Sequence, residues 1–65
     1  MMADRNFTAS DKLAAVRREI GMRRRVYPRW VINGKMTQAK ADEETAVMEA
    51  IAADYERQVE GERLL

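Results

Sequence analysis

The stretch 17–30 concentrates what this chain has for chemistry: Arg17, Arg18, Arg23, Arg24, Arg25 and Arg29, the single proline Pro28, the single tryptophan Trp30, and Tyr27. Guanidinium groups donate planar, paired hydrogen bonds to phosphates and carboxylates. Aromatic rings beside them either stack on unpaired bases or anchor a protein interface, where Trp, Tyr and Arg dominate the binding energy. The candidate partner-binding residues are therefore Arg23, Arg24, Arg25, Tyr27, Arg29 and Trp30. At about 100° per residue, arginines so placed spread around much of a helix rather than along one stripe. That favours a solvated, internally paired face and a protein partner; contact with nucleic-acid phosphates is the alternative.

Other chemistry is scarce. Asp42, Glu43 and Glu44 form the densest carboxylate group. Consecutive helical residues diverge, so these three are not expected to share a metal ion. The chain has neither histidine nor cysteine, which removes the commonest general base and the usual transition-metal ligands. Thr8, Ser10, Thr37 and Thr45 have no histidine to activate them as nucleophiles. No glycine-rich phosphate loop occurs. The expectation is a protein that is not an enzyme and takes no cofactor.

Sixty-five residues allow one domain with a thin core, the size range in which a staple or a partner is usually needed. Without cysteine the remaining staple is oligomerisation. The net charge of +1 hides a split: residues 1–36 carry nine basic and three acidic residues, net +6, whereas residues 37–65 carry three basic and eight acidic, net −5. Such a split means either a basic arm for nucleic acid or two halves that face each other. No apolar run approaches the ~20 residues of a membrane span, and Met1–Asn6 lacks the apolar segment of a signal peptide. A cytoplasmic protein with no membrane partner is expected.

The elements that position the arginines are two helices. Residues 1–7 have no period and are expected to fray. Thr8 or Ser10 can cap a first helix, Thr8 with Asp11 forming a capping box weakened by the short aspartate. From Lys12 onward Leu13, Val16, Ile20, Tyr27 and Trp30 mark one helical face. Gly21 costs this helix about 1 kcal/mol relative to alanine and leaves room for close contact with another helix. Pro28 lacks an N–H and disfavours α geometry at Tyr27, so a kink or break is expected there, with helix continuing to about Ile32. Asn33-Gly34 ends it, Gly34 being left-handed. Thr37 caps a second helix over about Gln38–Gln58, with Met36 and Ala41 as a hydrophobic staple. Its apolar stripe is Ala41, Thr45, Met48, Ile51, Ala52, Tyr55 and Val59. Residues 60–65 are expected to fray.

A short loop makes the helices antiparallel neighbours. With the turn near Gly34, Leu13 meets Tyr55, Val16 meets Ile51 and Ala52, Ile20 meets Met48, and Tyr27 meets Ala41. The same register pairs Arg24 with Glu44 and Arg25 with Glu43. Tyr27 and Trp30 then either close the open end of the hairpin over Met36 and Ala41 or stand out as anchors. Met22, Val26, Val31, Ile32 and Val47 lie partly off the main stripes. They predict a second surface and a homodimer, the hairpin self-associating into an all-α helical bundle.

The blocks Arg18–Val31, Asn33-Gly34-Lys35-Met36, Lys40-Ala41, Glu44, Met48–Ile51 and Asp54-Tyr55 resemble a family of short uncharacterised proteins encoded by bacteriophages and by prophages of proteobacteria. The likeness covers about residues 11–55, and Val26–Val31 followed by Asn33–Met36 is its most specific part. It implies origin rather than activity: a phage accessory protein in a bacterial host, binding a host or phage protein. A purely structural oligomer within a larger phage assembly is a third alternative.

Overall fold

The computed structural model describes residues 6–64 as two helices, α1 (Ala9–Ile32) and α2 (Gln38–Arg63), packed against each other as an antiparallel hairpin. Residues 1–5, on which part of the fraying and signal-peptide expectations fall, and residue 65 lie outside the described residues. Asn6 and Phe7 are irregular and lead into the first cap.

Local chemistry sets both ends of α1. The Asp11 N–H donates to Thr8 Oγ1 at 3.0 Å, and the Thr8 N–H donates to Asp11 Oδ2 at 3.1 Å. The capping box therefore closes in both directions despite the short aspartate. At the other end the Lys35 N–H donates to the Trp30 carbonyl (2.9 Å) and the Gly34 N–H to the Val31 carbonyl (3.1 Å). With Gly34 at φ 76°, this is the Schellman arrangement, which satisfies carbonyls the helix end leaves open. Three residues later Thr37 Oγ1 accepts from the Lys40 N–H at 3.1 Å and starts α2. The turn is thus specified by side chains within a few residues of it.

Two expectations need correction. Helix α1 runs unbroken through Tyr27 and Pro28. Pro28 removes only its own N–H from the ladder, and the helix on either side is held by the caps and by burial of Tyr27 in the seam. The second helix runs to Arg63, five residues beyond Gln58. Val59 packs against the core, and Arg63 lies 3.9 Å from Glu60 one turn back on the exposed last turns of the helix.

The expected apolar stripes of the two helices meet in the seam. Leu13, Ile20 and Ala52 form the buried cluster, with Val16, Met48, Tyr55 and Val59 packed on it. Tyr27 and Ala41 are buried farther along, near the turn. Ala9 extends the inner stripe one turn before Leu13 and is also buried. Among the described residues no side chain is completely enclosed, because two helices make one layer and each keeps an uncovered outer half.

Candidate interaction surface

The arginines divide by direction. Arg17 Nη2 donates to Glu56 Oε2 at 2.7 Å, and Arg24 is paired with Glu49, both across the seam to α2. Between them Gly21 lies in a shallow hollow with Ile20 and Ala52. A Cβ added at Gly21 meets nothing within 4 Å, so within this chain no helix approaches closely enough to require the glycine. This is the bridged flank of the hairpin.

Arg23 points to the opposite flank. Its Nε donates to Glu19 Oε2 at 2.9 Å, and its Nη1 lies 3.6 Å from Glu44. Its guanidinium carbon is 6.0 Å from the centre of the Tyr27 ring. The Glu19 hydrogen bond is the main cause of a raised Arg23 pKa; burial works against it, and Tyr27, Glu19 and Glu44 add favourable charge interactions. Lys40 shares Glu44 (3.3 Å) and reaches Glu43 (3.5 Å), and its pKa is raised first by the hydrogen bond to Glu44, then by Glu43. Asp42 instead accepts from Gln38 Nε2 at 2.9 Å. Glu43 and Glu44 therefore share Lys40, while Asp42 turns to Gln38.

The expected Arg24–Glu44 and Arg25–Glu43 pairs are corrected by this geometry. Facing positions fix the level along the seam but not the direction around each helix. Arg23 and Arg24 stand about 100° apart and so reach different flanks, while Arg25 points away from α2 altogether. Arg24 finds Glu49, a turn farther along, and Glu44 is left to Arg23 and Lys40.

Apolar side chains surround the Arg23 group. Met22, Val26, Tyr27 and Trp30 line a hollow with Glu19 and Arg23. Met22, Val26 and Trp30 follow at i, i+4 and i+8, one stripe on α1. Met22 is 44% exposed and Trp30 40%, while Val47 on α2 is 50% exposed. Tyr27 is buried, and its ring lies 5.8 Å from that of Trp30 at a 38° tilt. Tyr27 thus belongs to the seam, and Trp30 leans on it from outside.

Of the six candidate residues, Arg23, Tyr27 and Trp30 come together on this open flank. Arg24 sits on the bridged flank, and Arg25 and Arg29 are exposed on the outer side of α1. Glu19 and Lys40 were missed, although Glu19–Arg23 and Lys40–Glu44 both carry the i,i+4 spacing that signals such pairs. Among the described residues no group of His, Cys, Asp and Glu is placed to hold a metal ion, and no helix is long and apolar enough to cross a membrane. Comparison with protein families, curated proteins and solved structures gave no match, so the functional reading rests on these residues.

Proposed function

We propose that this chain is a small non-enzymatic interaction protein that self-associates through the Met22 end of its open flank and presents the Trp30-bearing end, nearer the turn, to a protein partner. The observation that carries the reading is the apolar stripe Met22–Val26–Trp30 on α1, whose Met22 and Trp30 stay exposed on one side of a single-layer hairpin. Exposed apolar groups in a contiguous patch mark interaction sites more often than isolated ones do. The second copy is favoured by charge. Helix α1 carries seven basic and two acidic residues, net +5, and α2 carries three basic and eight acidic, net −5. Two copies related by a two-fold axis, with α1 of each beside α2 of the other, place unlike charges together and give a four-helix bundle.

The resemblance of residues 11–55 to phage and prophage proteins supports a phage accessory role in a bacterial cytoplasm, with a host or phage protein as the partner. We assign to Pro28 a bend in α1 that sets the angle at which Trp30 meets that partner, since the Arg24 carbonyl there lacks its usual helical donor. The test of self-association is molar mass by light scattering at micromolar concentration. Wild type should run as a dimer, and the double variant Met22→Glu/Val47→Glu should run as a helical monomer. A wild-type monomer, or a double variant that stays dimeric, removes the reading.

A further inference from the structure

Three arginines remain outside both flanks. Arg18, Arg25 and Arg29 are exposed, and among the described residues none has a carboxylate in ion-pair range, whereas Arg17, Arg23 and Arg24 all do. Their spacings of seven and four place them within about 40° of one another around α1. The arginine run is therefore sorted by the fold: half is paired with carboxylates on the two flanks, and half lines up along the outer edge.

We infer that the Arg18–Arg25–Arg29 stripe is a contact site for the phosphodiester backbone of a nucleic acid. At about 1.5 Å per residue the three are about 10 Å and about 6 Å apart along the helix, a span of about 16 Å. One strand of a duplex presents a phosphate about every 3.4 Å of its axis, so each arginine has phosphates within its level. Guanidinium suits this ligand because it binds phosphate through paired donors and sheds water more readily than ammonium. An anionic bilayer would call for bulky apolar side chains beside the cations. The outer edge offers Met22 between Arg18 and Arg29, with exposed Phe7 and Ile32 only beyond its two ends, so no apolar row runs beside the three cations. The site needs neither the open flank nor its partner, so it stands apart from the self-association reading.

The experiment is fluorescence anisotropy with labelled single-stranded and duplex DNA 20-mers, run beside vesicles of anionic phospholipid. Wild type should bind DNA, and three phosphate contacts should lower affinity about 20- to 40-fold between about 50 and about 200 mM salt. Arg18→Ala/Arg25→Ala/Arg29→Ala, with helix content verified by circular dichroism, should lose that binding. Arg17→Ala/Arg24→Ala removes nearly as much charge from the bridged flank and should bind within about twofold of wild type. Absence of DNA binding at low salt, equal losses in the two variants, or capture by vesicles without DNA binding would each overturn the assignment. If the triple variant loses its helix content, Arg25→Gln/Arg29→Gln repeats the comparison with a milder change, and unchanged affinity there has the same meaning.

Discussion

The two flanks of one seam solve the same problem differently. On the bridged flank, Arg17–Glu56 and Arg24–Glu49 reach over Gly21 and close the groove with charges from the two helices. On the open flank Arg23, paired with Glu19 and Glu44, is half-buried, and Met22 and Trp30 stand exposed around it. A flank that ends in water-exposed ion pairs gains little from a partner, because those charges are already solvated and matched. A flank that ends in apolar atoms gains about 25 cal/mol for each Å² it removes from water. The difference locates the place where this small chain can add to its stability.

Substitutions can break that comparison, beginning with the seam on which both flanks depend. Ile20→Asp puts a carboxylate into the central cluster and should cost about 3 kcal/mol or more, enough to abolish helical circular dichroism in a chain with so little core. Retention of a cooperative melt would mean that the seam is not the organising contact.

The glycines give the next contrast. Gly34→Ala forces a side chain into left-handed backbone and should lower stability by about 1–2 kcal/mol in urea unfolding. Gly21→Ala meets nothing and should raise stability by about 0.5–1 kcal/mol. A loss at Gly21 instead would place a second copy on the bridged flank and reverse the assignment of the two sides.

The arginines separate more finely. Arg24→Ala should cost up to about 1 kcal/mol, an effect that fades in high salt, while Arg25→Ala should leave the melting temperature unchanged. Equal losses would mean that position around the helix does not govern pairing. The smallest effect is in pH. The Lys40 pKa is raised in the folded chain, so its contribution is fully present below the ordinary lysine value of 10.5 and is lost as pH rises through the raised value. Melting temperature followed from about pH 9 to about pH 12 should fall less steeply in Lys40→Gln than in wild type.

Much of the fold was readable because its determinants are local. Thr8, Gly34 and Thr37 mark their helix ends by chemistry that acts within a few residues, and the apolar spacing of Leu13, Ile20 and Tyr27 against Ala41, Met48 and Ala52 sets the register. The tail of α2 was not readable. Gly61 and the charges around it resemble a frayed end until Val59 is seen in contact with the core. The arginine partners were only half readable. Sequence distance gives height along the hairpin, but a single-residue step turns a guanidinium about 100° and changes the flank it serves. Consecutive Arg23, Arg24 and Arg25 therefore belong to three different surfaces, which no summed charge reveals.

Trp30 gives the chain an optical reporter of its own. It is the single indole, two-fifths exposed, resting on the buried Tyr27 beside the apolar stripe. Anything that settles on the open flank strips water from that ring, and intrinsic emission should move to shorter wavelength. A ligand confined to the outer arginine edge leaves the indole in its present surroundings and its spectrum in place. One cuvette titration, without a dye or a tag, can therefore tell which side of α1 a newly found partner occupies.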